Sequence, residues 1–273
     1  MNLRYLIARL ARHFMPDEVA RALLRRGMII RPGLETSDPE TAAGRYREVL
    51  EQAGTNLDGK RVMVFGYGGS FALGCLLLRQ GAGHVVLCDK FAPPDDARNV
   101  LLLPEHADYL VEQGGKIHPL PDVITLLQVD IREVQQEAVD IVLTSSVYEH
   151  LDDVEGITRA LARLTRPGGM HLHYVDMRDH FFKYPFEMLT YSKQTWQSWL
   201  NPTSNLNRYR IPDYRRAFEA CFERVEIQVL ASDQAAYEKA REHIRPEFIS
   251  GDLQIDSATL IRVMAFNPLQ AVA

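Results

Sequence analysis

The sequence predicts an α/β fold: a doubly wound, mostly parallel sheet covered by helices on both faces. Three observations carry this. Short apolar runs alternate with helix-patterned segments, as repeated strand–helix–strand units require. The first of these runs passes directly into glycines and then a helix, at Val62-Met63-Val64-Phe65-Gly66-Tyr67-Gly68-Gly69. Two later runs, Val85–Cys88 and Leu126–Val129, each end in an aspartate, Asp89 and Asp130. The carboxyl ends of parallel strands are where such a sheet gathers its ligand.

Taken in order, Ser37-Asp38-Pro39-Glu40 starts a helix, with Ser37 or Asp38 as cap and Pro39 in the first turn. That helix runs to about Gln52 and ends at Gly54. Strands are expected at Arg61–Phe65, His84–Cys88, Ile124–Val129, Val139–Thr144 and Met170–Val175, with helices at Ser70–Arg79 and Val154–Thr165. The rhythm then breaks. Residues 176–212 are rich in aromatics, among them Phe181, Phe182, Tyr184, Phe186, Trp196 and Trp199, and read as an inserted cap. A helix at Asp213–Ala220, a strand at Phe222–Leu230, a helix at Ser232–His243 and a last strand at Thr259–Phe266 follow. The expected organisation is a helical cover over 1–53, a ligand-binding core over 54–175, the cap over 176–212, and completion of the sheet over 213–273.

At the N-terminus, Leu3, Leu6, Ile7, Leu10, Ala11 and Phe14 recur at helical spacing, with Arg4, Arg9 and Arg12 on the other side. A second basic helix is expected from about Glu18 to Arg26. The apolar stripe needs burial, and packing on the body as part of the active-site cover is favoured over an anionic membrane surface, the lesser alternative for residues 1–31. Hydrophobic content of 46% and charged content of 25% suit a globular chain. A net charge of −5 argues against a nucleic-acid partner. Cys75, Cys88 and Cys221 are too scattered for a disulfide framework or a zinc site and read as buried thiols. No apolar run reaches the length of a membrane span and no signal peptide is evident, so a cytoplasmic protein is expected. The oligomeric state is not encoded legibly.

The glycine turn discriminates between ligands. A dinucleotide turn would need G-x-G-x-x-G, and Phe71 occupies the third glycine position. A phosphate loop would need a lysine after the glycines, and none follows. The turn instead resembles the first motif of class I S-adenosylmethionine (SAM)-dependent methyltransferases, with Gly66 and Gly68 as its first two glycines. Two positions depart from that motif: Val64 replaces its acid and Ser70 its third glycine. Asp89, 23 residues after Gly66, matches the acid that takes the ribose hydroxyls. Asp130 and Ile131 match the adenine-contacting pair. Ser145-Ser146-Val147-Tyr148-Glu149-His150-Leu151 is similar to the fourth motif in its small-molecule form, and Leu164-Thr165-Arg166-Pro167-Gly168-Gly169 to the turn before the fifth strand.

The resemblance covers roughly residues 55 to 176. It implies a Rossmann-like methyltransferase fold of seven strands with the last antiparallel, and SAM as cofactor. Cofactor contacts are implied at Gly66, Tyr67, Gly68, Asp89, Lys90, Asp130, Ile131, Ser145 and Ser146. The expected reaction is methyl transfer to a small-molecule acceptor, most readily at oxygen. The alternatives are transfer to nitrogen or carbon, or a SAM- or nucleotide-binding protein without catalysis. Histidine is the side chain best suited to removing an acceptor proton, and His150, His173 and His180 are the candidates. Arg208, Tyr209 and Arg210 close the cap and are the candidate acceptor grip. No metal is expected: His173, Asp176 and His180 have suitable ligand types but no supporting spacing.

Overall fold

The computed structural model describes residues 3–16, 19, 34–135, 137–180, 183–202 and 205–269. Apart from Val19, the second basic helix expected over Glu18–Arg26 lies outside them, as do Phe181 and Phe182. The strands are β1 (Arg61–Phe65), β2 (His84–Cys88), β3 (Leu110–Gln113), β4 (Lys116–Pro119), β5 (Ile124–Leu127), β6 (Val139–Ser145), β7 (Thr165–Asp176), β8 (Phe222–Ser232) and β9 (Ala258–Pro268). Seven of them form one sheet in the order β5-β2-β1-β6-β7-β9-β8. The five strands from β5 to β7 run parallel, and β9 runs antiparallel to both β7 and β8. This is the doubly wound, mostly parallel sheet expected. β3 and β4 form a separate antiparallel hairpin around Gly114 and Gly115, which the sequence reading left unassigned.

Strand alternation divides the core. Met63 and Phe65 of β1 face one layer, and Val62 and Val64 face the other. The first layer is closed by α4 (Val154–Arg163) and α5 (Ile211–Glu219), the second by α2 (Pro39–Gln52) and α3 (Ala72–Arg79). Asp38 caps α2 by accepting the Thr41 N–H at 3.1 Å. The start of α3 is also held from a distance. The buried Asn99 side chain accepts the Phe71 N–H at 2.9 Å and donates to the Gly69 carbonyl at 3.0 Å. Cys75, Cys88 and Cys221 are buried and unbridged.

The cap has its own core of Phe186, Met188, Leu189, Trp196, Leu200 and Leu206, which also takes in Tyr5 of α1 (Leu3–His13). α1 packs the opposite way round from its sequence pattern. Tyr5, Arg9 and Arg12 are buried, while Leu3, Ile7 and Phe14 are each more than 60% exposed. The reason lies in the surface it meets. Arg9 lies over the rings of Tyr5 and Trp196, at 5.5 and 5.3 Å, and forms an ion pair with the buried Asp179. Among the described residues, no helix is long and apolar enough to cross a membrane.

Candidate active site

The glycine turn leaves β1 in a backbone conformation that side chains disfavour. Gly66 has φ +81°, and a Cβ on it would stand 2.3 Å from Val147 Cγ2. Gly69 has φ +85°, and a Cβ there would meet the Pro93 carbonyl oxygen at 2.5 Å. The Gly66 N–H donates to the Cys88 carbonyl at 2.7 Å, fixing the turn to the end of β2. Asp89 follows at once. Its Oδ2 accepts the Gly68 N–H at 3.2 Å, and its Oδ1 accepts those of Phe91 and Ala92, both at 2.8 Å. Tyr67 is buried, and burial first and the Asp89 charge second push its hydroxyl up to about 12.

Asp130 lies past the end of β5, with Lys90 at 3.0 Å and the Arg132 guanidinium at 2.6 and 2.9 Å. Arg132 chiefly, with Lys90 adding, holds its carboxyl well below the usual range against the opposing effect of burial. Ile131 is buried in the core beneath it. Ser145 ends β6, and Ser146 takes φ +54° while donating its N–H to the Tyr174 carbonyl at 2.9 Å. A non-glycine residue held there is a local strain of the kind that gathers at working sites. The nine expected cofactor positions thus all fall at the carboxyl ends of four adjacent strands, β5, β2, β1 and β6.

Beyond Ser146 the chain makes a short 3-10 turn, Tyr148–His150. Tyr148 points into the core, and its hydroxyl accepts from Thr158 at 3.3 Å. Glu149 is only 3% exposed, among the described residues neither of its carboxyl oxygens has a hydrogen-bond partner of ordinary geometry, and burial pushes it well above the ordinary carboxylic range. His150 Nδ1 is 2.8 Å from the Asn205 carbonyl oxygen. A carbonyl can only accept, so Nδ1 carries the hydrogen and Nε2 presents a lone pair. The His180 ring centroid is 4.8 Å from that of His150, and burial first, then His150, push His180 down to about 3. One ligand atom each from Glu149, His150 and His180 lies within 4.8 Å of the others.

The segment after the cap helix brackets this cluster. The Asn205 side chain donates to the His150 carbonyl at 3.0 Å, the Asn207 N–H to that of Glu149 at 3.0 Å, and the Asn207 side chain to that of Tyr148 at 2.7 Å. On the other side, Asp176 at the end of β7 holds Arg178 at 2.6 Å, while buried Asp179 holds Arg9 and the Tyr5 hydroxyl. Neither asparagine was singled out by sequence. Both are polar residues in a loop, and nothing nearby in the chain signals their partners.

Four expected site residues sit elsewhere. His173 is fully buried, with Nδ1 2.9 Å from Thr144 Oγ1 and its ring 4.6 Å from Tyr148 and 5.0 Å from Phe218. It shares a strand face with His171 and packs beneath α5, so it is a core residue rather than a base. Arg208 and Arg210 are also turned inward. Arg208 donates to the Met188 and Tyr191 carbonyls at 3.1 and 2.8 Å, between Trp196 and Phe248. Arg210 donates to the Met177, Asp256 and Ala258 carbonyls at 3.3, 2.9 and 2.7 Å. Burial foremost lowers both guanidiniums to about 10. Tyr209 donates to both Glu155 oxygens at 3.0 Å. The expected acceptor grip is therefore a structural clamp that ties the cap to β7 and β9. A surface concavity of about 530 Å³, lined by Arg47, Asp58, Lys60 and Gln80, shares no residue with the glycine turn or the cluster.

A sequence profile of the methyltransferase domain family matches residues 68–173. No curated protein matches the chain. Among solved structures, a Galdieria sulphuraria protein provisionally named a sarcosine dimethylglycine methyltransferase is 15% identical with a TM-score of 0.52, over 93% of this chain and 98% of its own. A chain of the Haloferax volcanii complex between the Trm112 methyltransferase activator and its provisionally assigned methyltransferase is 16% identical at a TM-score of 0.50, over 94% and 98%. The YcgJ protein of Bacillus subtilis is 12% identical at 0.50, over 83% and 98%. At these identities the solved structures speak for the fold, and the matched domain begins within the glycine turn, at Gly68, and includes Asp89, Asp130 and the Glu149-His150 turn. Residues 68–173 thus match a methyltransferase domain, in keeping with the resemblance to the class I SAM-dependent methyltransferases, and SAM is the methyl donor which that resemblance implies.

Proposed function

We propose that the protein transfers the methyl group of SAM to a hydroxyl oxygen of a small-molecule acceptor. The observation that carries this reading is the Glu149–His150–His180 cluster, whose Glu149 and His150 lie within three residues of Val147, the residue that fills the space a Cβ on Gly66 would need. On this reading SAM lies across Gly66, Tyr67, Gly68, Asp89, Lys90, Asp130, Ile131, Ser145 and Ser146, with the sulfonium toward β6. The acceptor lies between the ends of β6 and β7, beneath the cover of residues 1–53 and the cap of residues 176–212. A lone pair on the acceptor oxygen forms the new C–O bond as the methyl–sulfur bond breaks. The electron pair of that bond goes to sulfur, leaving S-adenosylhomocysteine, and the hydroxyl proton passes by way of the cluster to solvent water. Alignment and proton removal are what such a displacement asks of a protein.

The test is turnover of a hydroxyl-bearing acceptor library with methyl-labelled SAM, locating the label by NMR. His150→Ala should lower kcat by about 100-fold or more, the usual contribution of a proton-transfer group, with SAM affinity near wild type. Label found only on nitrogen or carbon would overturn the assignment to oxygen.

A further inference from the structure

We infer that Glu149, His150 and His180 hold one divalent transition-metal ion, to which the acceptor hydroxyl binds. This rests on the transfer to oxygen proposed above and gives the cluster its means of acidifying the hydroxyl. One carboxylate and two imidazoles are the donor set of open zinc sites, and of the related iron sites, which leave positions for a substrate oxygen. The three ligand atoms already lie within 4.8 Å of one another. Bonds of about 2.0–2.2 Å would require them to close by about 1 Å, within reach of side-chain rotation.

Two further features prepare the site. His150 donates its Nδ1–H to the Asn205 carbonyl at 2.8 Å, the outer contact that fixes the tautomer of a ligating histidine and directs Nε2 inward. Glu149 is buried, and among the described residues neither of its oxygens has a hydrogen-bond partner of ordinary geometry. The neighbouring carboxylates are already matched, Asp176 by Arg178 and Asp179 by Arg9, so those two cations are neutralised locally. That leaves Glu149 as the carboxylate in want of a positive charge. A buried carboxyl without a partner is costly, and a bound ion removes the cost. The alternative is a protonated, metal-free Glu149, and the two states give opposite results.

The full-length protein is stripped with chelator and titrated with Co²⁺, reading visible absorption, and Zn²⁺ retained after dialysis is measured by elemental analysis. One ion per chain is expected. Glu149→Gln and His180→Gln should weaken Co²⁺ binding at least tenfold to a hundredfold. Glu149→Gln should leave the metal-free Tm near wild type, since the amide keeps an acceptor oxygen in the same place, while abolishing the Tm rise produced by Zn²⁺. Co²⁺ binding below stoichiometry in the wild type, or unaltered in both variants, overturns the site. Oxygen methylation surviving complete chelation overturns the ion's role and leaves the reaction standing. Stoichiometric Co²⁺ at these residues with label only on nitrogen overturns the reaction and leaves the site standing.

Discussion

His150 and Asn205 hold each other twice: His150 Nδ1 donates to the Asn205 carbonyl at 2.8 Å, and the Asn205 side chain donates back to the His150 carbonyl at 3.0 Å. Asn205 adopts φ +48°, which asparagine tolerates better than most residues. Asn205→Ala removes one of the two bonds and strains the backbone, so unfolding free energy should fall by about 1–2 kcal/mol. Asn205→Gly keeps the backbone and loses only the side-chain bonds, the one donated to His150 and the one accepted from Asn201 at 2.6 Å. Denaturant titration should rank glycine above alanine, and both variants should lower kcat more than SAM affinity. Equal stabilities would show that the left-handed backbone is not under strain.

Asp89 supports three backbone N–H groups besides any ligand it takes. Asp89→Ala should therefore cost about 1.5–3 kcal/mol in SAM binding, as loss of a charge-assisted hydrogen bond does, and lower the Tm as well. Asp89→Asn preserves part of the acceptor geometry and should recover Tm more than affinity. Calorimetry with SAM separates the two effects, and unchanged affinity in both variants would remove Asp89 from the cofactor site.

Arg208 and Arg210 should behave as structural residues. Arg210→Ala strands three buried carbonyls that now accept hydrogen bonds. A loss of about 3–5 kcal/mol is expected, as for breaking a buried charged network. In whatever fraction stays folded, the acceptor KM should be close to wild type. A raised KM at unchanged Tm would return these arginines to acceptor recognition.

Stability should fall on the acid side. Burial lowers His171 to about 3 and sets His173 well below its ordinary value, with His171 adding to the latter. Both folded values lie under the unfolded value of about 6.5, so the unfolded chain takes up protons first as pH drops. The stabilisation is complete above about pH 6.5 and is lost progressively below it. Each histidine contributes up to about 1.4 kcal/mol per pH unit. His171→Gln should flatten the urea-midpoint profile between pH 6.5 and 5 by one histidine's share. An unchanged slope would place the acid sensitivity elsewhere.

That the expected cofactor positions gather at one edge of the sheet was legible because the parts are local. Each strand carries its own acid or glycine at its carboxyl end, and a parallel sheet brings those ends together without further instruction. The cluster proposed for the acceptor was only partly so. His150 and His180 were candidates, but that Glu149 joins them, 31 residues before His180 in the sequence, depends on how the chain leaves β7. His173 was misread because period-two alternation gives a face without saying whether that face is core or cleft. α1 was read with its apolar stripe inward because amphipathicity ranks faces by hydrophobicity alone. The surface it meets offers aromatic rings and a buried carboxylate, and these select Arg9 and Tyr5.

The absent methyl at Gly66 also has a consequence for sequence variation. Its space is filled by Val147, 81 positions later in the chain and two before Glu149. A side chain gained at one position is sterically admissible only if volume is given up at the other. In a library randomised at both, surviving clones should therefore pair glycine at 66 with branched residues at 147, and alanine at 66 with smaller ones. Positions 66 and 147 would be inherited as a pair. Drift in the cofactor turn would then be transmitted directly to the turn that carries Glu149 and His150.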